Sequence, residues 1–300
     1  MEIIRAKILG FCAGVRRAVL AAEKALSENE NSNVYTLGPL IHNPVALKKL
    51  AERNLRILSE SQMQSLKEGD TVIIRAHGVG PETTKALEDK NVNLLNATCP
   101  LVTKSQKTSA DFAGKGFVIF FAGDKNHGEV VGIEGYAKKA AENAGEELNF
   151  VLIKDRAELE EEIKRLISEN KIKNEEKLVL LSQTTFSIKT FEDLKETLLK
   201  RFPKASVVSS ICPATHERQA SLVELCSKVD GVIVIGGKTS ANTNRLFATA
   251  EKLCKKAVLI ETPDEIPDEF FSLEKVGITA GASTPDDTIE AVEKRLKEKS

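Results

Sequence analysis

Short runs of Val, Ile, Leu and Phe alternate along the chain with longer stretches in which apolar residues recur every three to four positions. The first kind predicts strands and the second amphipathic helices. The runs are apolar at consecutive positions, so the strands are expected to be covered on both faces, as in parallel α/β sheets. The first third carries VYTLG (34–38), LRILS (55–59), TVIIRA (71–76) and VNLLNA (92–97). The second carries FVIFFAG (117–123), NFVLIK (149–154), KLVLLS (177–182) and ASVVSS (205–210). The last has GVIVIGG (231–237), AVLIET (257–262) and KVGITAG (275–281), one run short, and the N-terminal run EIIRAKILG supplies the missing strand if it crosses back. The pattern predicts an α/β protein of three similar thirds with mainly parallel sheets, whose strand-end turns would face a common centre if the thirds pack around a pseudo-three-fold axis. The expected domains are 14–99, 100–208, and 209–300 completed by 1–13.

Ligands of open α/β sheets bind beyond the carboxyl ends of the strands, so chemistry is sought in the residues after the runs. Cys12 (GFCAGV), Cys99 (NATCPLV) and Cys212 (SSICPAT) each follow an apolar run and precede a helical stretch. They lie too far apart for a zinc ribbon or a bacterial ferredoxin run, which points to one site assembled from three parts of the chain. At helix starts, backbone N–H groups and the helix dipole favour thiolate over thiol. Three converging thiolates would hold a central iron-sulfur cluster with one iron left for a substrate. Cys226 and Cys254 fall inside amphipathic patterns and read as small buried hydrophobes.

Other strand-following turns carry His42 (LIHNP), His77 (RAHGVGP), His127 and Glu129 (NHGEVV), Thr184 (SQTTFS), Ser240 and Asn242 (KTSANTNRL) and Ser283 (TAGASTPDD). Singly, a Ser, Asn or His in such a turn is first of all a helix cap. Together they make a polyphosphate pocket rich in N–H and O–H donors without heavy cationic charge. His216, in THERQ, reads as structural.

Composition mainly excludes. A formal net charge of -1 gives no electrostatic reason to expect nucleic acid or an acidic membrane surface, and the absence of Trp argues against base stacking. No apolar stretch reaches the roughly 18 residues of a spanning helix, and MEIIRAKILG lacks the apolar core of a signal peptide, so a cytoplasmic location is expected. Five cysteines in a reducing compartment do not suggest a disulfide framework. There is no GxxxxGK[ST] and no strand followed by GxGxxG, so reducing electrons would have to come from outside.

Taken in order, GFCAGVRRAV, GPLIHNP, RAHGV, NATCPLV, H-x-E-V, SQTT, ICPAT, N-x-NRL and TAGAS span almost the whole chain. This series resembles the IspH/LytB family of 4-hydroxy-3-methylbut-2-enyl diphosphate reductases. The resemblance implies reductive dehydroxylation of an allylic alcohol diphosphate to isopentenyl and dimethylallyl diphosphates, the last step of the methylerythritol phosphate route to isoprenoids. It implies one 4Fe-4S cluster held by Cys12, Cys99 and Cys212, whose free iron takes the substrate hydroxyl. An external electron donor such as ferredoxin or flavodoxin would supply the electrons. His42, His77, Ser240, Asn242 and Ser283 match residues around the diphosphate. His127, Glu129 and Thr184 match those nearer the reacting carbon, with Glu129 as proton donor. Two positions depart from the family pattern: Gly128 stands where His-Pro-Glu is usual, and Ala241 where Ser-Ser-Asn is usual.

Two other readings use the same cysteines. A cluster-dependent hydro-lyase would dehydrate its substrate without net electrons. A zinc-stabilised binding or redox-sensing protein would hold metal with a histidine and be colourless.

Overall fold

The computed structural model describes residues 1–28 and 33–299. Residues 29–32, within the first expected third, and residue 300, at the end of the last, lie outside the described residues. Each apolar run forms a strand: β1 (Glu2–Arg5), β2 (Val34–Leu37), β3 (Leu55–Leu58), β4 (Thr71–Ile74), β5 (Asn93–Asn96), β6 (Val118–Ala122), β7 (Asn149–Ile153), β8 (Leu178–Ser182), β9 (Ser206–Val207), β10 (Gly231–Ile235), β11 (Ala257–Ile260) and β12 (Lys275–Ala280). The helices between them are α1 (Ala13–Glu28), α2 (Pro44–Glu52), α3 (Pro81–Glu88), α4 (Pro100–Ala113), α5 (Gly128–Ala144), α6 (Arg156–Ser168), α7 (Ile188–Arg201), α8 (Pro213–Cys226), α9 (Ala241–Leu253) and α10 (Asp286–Lys299). Their starts follow helix-capping chemistry. Proline opens α2, α3, α4 and α8 where its missing N–H costs nothing, and side chains of Asn43, Asp155, Ser187 and Ser240 accept the orphan N–H groups of α2, α6, α7 and α9.

The strands make three four-stranded sheets, ordered β3-β2-β4-β5, β7-β6-β8-β9 and β11-β10-β12-β1, with every pairing parallel. All three are wound alike: the chain begins at an inner strand, steps outward to one side, then returns to fill the other side. In the third sheet β1 takes the fourth place, pairing with β12 from Glu2↔Lys275 to Arg5↔Ile278. Strand interiors alternate between two packed layers. Val118, Phe120 and Ala122 of β6 face one core while Ile119 and Phe121 face the other, and in β10 Ile233 and Ile235 oppose Val232 and Val234.

By internal contacts the chain forms two compact units, Met1–Ala76 with Asn93–Ala97 and Pro213–Ser300, and His77–Val92 with Thr98–Cys212. The first contains two sheets, β2 to β5 and β1 with β10 to β12; the second contains the β6 to β9 sheet and α3. In each sheet the winding reverses between its first and third strands, so a crevice opens at their carboxyl ends. The paired strands there end flush, at Leu37↔Ile74, Ala122↔Ser182 and Ile235↔Ala280.

Candidate active site

The turns at these reversals carry the polar residues singled out by sequence. His42 follows β2 and His77 follows β4; His127 and Glu129 follow β6 and Thr184 follows β8; Ser240 and Asn242 follow β10 and Ser283 follows β12. The three strand-end cysteines instead follow the fourth strand of each sheet, Cys99 after β5, Cys212 after β9 and Cys12 after β1.

Within the first unit, short links join the turns that carry Cys12, His42, Ser240 and Ser283. The Cys12 N–H donates to Ala282 O at 3.0 Å, and the neighbouring Ser283 hydroxyl donates to His42 O at 3.1 Å. A Cβ on Gly237 would overlap the same His42 carbonyl, so glycine is what lets the turn before α9 lie against the turn before α2. Ser240 caps α9, accepting the Thr243 N–H at 3.4 Å. Asn242 is buried, and neither atom of its amide bonds to another group among the described residues. A buried amide in that condition costs free energy unless a group outside the chain, a water or a ligand, pairs with it. Burial, and secondarily the Arg75 charge, hold the His42 imidazole below its ordinary pKa. Near neutral pH it is therefore an uncharged ring with one N–H to donate.

The second unit holds a second polar group. Glu129 lies in the first turn of α5 and is buried, with both carboxylate oxygens engaged by one residue: Thr184 N donates to Oε1 at 2.7 Å and Thr184 Oγ to Oε2 at 2.8 Å. The Glu129 N–H donates to His127 Nδ1 at 3.2 Å, which caps α5 and fixes that ring. The His77 ring meets it edge-on, with centroids 5.4 Å apart. The Thr184 carbonyl accepts the Cys212 N–H at 2.8 Å, so Glu129, Thr184 and Cys212 form one continuous network. Cys99 is the residue before α4, in extended conformation with Pro100 opening the helix.

Among the described residues no cysteine is in a disulfide. Cys12, Cys99 and Cys212 are half-buried, and each stands immediately before a helix. The Cys12 sulfur accepts the Val15 N–H at 3.5 Å. Burial and the neighbouring Cys254 push the Cys226 thiol up to about 12, and burial raises Cys254 as well. Half-buried sulfurs at helix starts suit the ligands of a thiolate-held cluster, whereas two thiols held protonated inside helix packing do not.

Sequence reasoning missed Gln183. Fully buried beside Thr184, its side chain accepts the Asp124 N–H and donates to Thr185 Oγ1, both at 2.9 Å, and so joins the turn after β8 to the turn after β6. Its place directly after the KLVLLS run was the available signal.

Comparisons place this architecture among known proteins. The LytB protein family matches residues 3–297, and the chain belongs to that family. It is similar to the 4-hydroxy-3-methylbut-2-enyl diphosphate reductase of Treponema denticola, 41% identical over 302 residues covering 99% of this chain and 100% of the relative. It is also similar to the protein of that name from Aquifex aeolicus, 38% identical over 99% of this chain and 96% of the relative. A solved structure of (E)-4-hydroxy-3-methyl-but-2-enyl diphosphate reductase, described as the terminal enzyme of the non-mevalonate pathway, superimposes with TM-score 0.70 at 36% identity, covering 99% of this chain and 100% of the other. The E-1-hydroxy-2-methyl-but-2-enyl-4-diphosphate reductase of Plasmodium falciparum superimposes with TM-score 0.83 at 26% identity, covering 96% and 86%.

Proposed function

We propose that this chain is an oxidoreductase that reductively dehydroxylates (E)-4-hydroxy-3-methylbut-2-enyl diphosphate to isopentenyl and dimethylallyl diphosphates, in the cytoplasm, at the end of the non-mevalonate isoprenoid pathway. The observation that carries this reading is full-length similarity to reductases of that name, combined with donor-rich turns at all three sheet reversals. In the reaction the allylic C–O bond breaks, water leaves, and two electrons and two protons enter.

A 4Fe-4S cluster on Cys12, Cys99 and Cys212, when bound, supplies the electrons and a Lewis-acidic iron for the substrate hydroxyl. The side chains do the rest. Ser240, Asn242, Ser283, His42 and His77 receive the diphosphate with hydrogen-bond donors and little positive charge, which keeps the anion exchangeable. The unpaired Asn242 Nδ2 gains an acceptor when a diphosphate oxygen binds. Glu129 holds a proton for the departing oxygen, with Thr184 as its relay: a hydroxyl that donates to Oε2 in one rotamer accepts in another. His127 keeps the Glu129 backbone in place. Electrons arrive one at a time from a small carrier of the ferredoxin or flavodoxin class.

The test is anaerobic purification with iron and sulfide analysis, followed by turnover with an artificial one-electron reductant. Brown protein that converts the allylic diphosphate only when reductant is present is the expected result. Turnover without reductant, or colourless protein with stoichiometric zinc, overturns the proposal.

A further inference from the structure

We infer that α8 is a splint for the Cys12 loop, with Arg218 as its positioning residue. The inference rests on Cys12 and Cys212 being cluster ligands. Three side chains spaced three residues apart along α8 grip the segment that leads into Cys12. The Arg218 guanidinium donates from Nη2 to Gly10 O at 2.7 Å, the Ser221 hydroxyl accepts the Ile8 N–H at 3.1 Å, and Glu224 pairs with Lys7 at 2.8 Å. Residues at that spacing lie along one stripe of a helix, so helix and segment run antiparallel and meet at three successive points.

Arg218 has a second hold. Its Nη1 donates to Ala214 O at 2.9 Å, in the first turn of α8 and two residues beyond Cys212. One planar fork therefore clasps the carbonyl two residues before Cys12 and the carbonyl two residues after Cys212, a task for which a lysine's single ammonium is badly shaped. The guanidinium is buried, and burying that charge is costly where a neutral side chain would serve. A buried cation close to an anionic cluster held by Cys12 and Cys212 would make its reduced, more negative state easier to reach. Gly10 fits the same design. Its φ is +76°, and a Cβ there would stand 3.0 Å from Ile289 Cδ1 and 3.2 Å from Asp286 Oδ1, so the carbonyl reaches Arg218 only through a left-handed glycine.

Two readouts on the intact protein test this, one needing no cluster. In cluster-free protein, Arg218→Gln should raise amide hydrogen exchange at least tenfold over Ile8–Cys12, while β10 and β12 keep wild-type protection. In cluster-bearing protein, Arg218→Gln should move the midpoint potential to more negative values, with Arg218→Lys restoring part of the potential but not the exchange protection. If Arg218→Gln does not fold, Ser221→Ala removes only the Ile8 acceptor and should show the same local rise in exchange. Wild-type exchange over Ile8–Cys12 in whichever variant folds overturns the splint. A preparation without iron and sulfide, but with faster exchange, instead removes the cluster reading and leaves the splint standing.

Discussion

At the scale of single residues, the two polar groups differ in what they have already satisfied. Glu129 has both oxygens paired with Thr184, whereas the buried Asn242 amide waits for a partner. That contrast separates their roles. Glu129→Gln keeps the shape and the Thr184 contacts but removes the acid, so turnover should fall by about 10²- to 10⁴-fold with diphosphate affinity nearly unchanged. Single-turnover rates alongside equilibrium binding check this, and near-normal turnover would refute it. Asn242→Ala should weaken diphosphate binding by roughly tenfold or more, since a hydrogen bond to a charged group contributes about 1.5–3 kcal/mol. Ala241→Ser, which restores the usual family residue beside it, should tighten binding by less than about tenfold, because backbone N–H groups at the start of α9 already serve an adaptable anion. Dissociation constants decide, and wild-type affinity in Asn242→Ala would mean the cradle lies on another loop. The Asn242 position was legible as polar and helix-initial, but its unpaired burial was not, because burial of that side chain depends on packing that no local pattern encodes.

At the scale of elements, the apolar runs located the twelve strands of the described residues, and what they misjudged was the ends. TVIIRA and GVIVIGG each lose their last two residues, which leave the ladder to begin the turns carrying His77 and Ser240. ASVVSS yields only Ser206–Val207, since an edge strand with one neighbour pairs over fewer residues. Contacts such as the Gln183 bridge and the α8 grip lay beyond reach because they join segments far apart in sequence. One departure from the family pattern becomes intelligible here. Gly128 is the first residue of α5, and the preceding His127 has φ -71° and ψ 134°, a conformation compatible with a following proline. Gly128→Pro should therefore stabilise the protein by about 0.4–1 kcal/mol, chiefly by restricting the unfolded chain. A raised unfolding midpoint with unchanged turnover is the expected result; a lowered midpoint would mean that the start of α5 needs glycine's freedom.

At the scale of the molecule, one winding repeated three times explains why the cysteines are so far apart in sequence. Each follows the fourth strand of its own sheet, and for the third sheet that strand is β1, so Cys12 joins a sheet whose other strands come from the far end of the sequence. The strand count in the sequence was enough to ask for this crossing, whereas the grouping into two compact units, with α3 assigned to the second and its flanking strands to the first, was not visible there. A ligand drawn from three distant chain positions binds the folded protein and not the unfolded one, so it must stabilise the fold by mass action. Serine at Cys12, Cys99 or Cys212 should each reduce iron content severely and abolish the difference in unfolding temperature between cluster-bearing and chelator-stripped protein. Serine at Cys226 or Cys254, whose thiols are held protonated by burial, should preserve both the iron and that difference while costing some packing stability. Parallel iron analysis and thermal unfolding of the five variants make the comparison, and a bleached Cys226→Ser beside a brown Cys99→Ser would show that the thiolates had been assigned to the wrong helix starts.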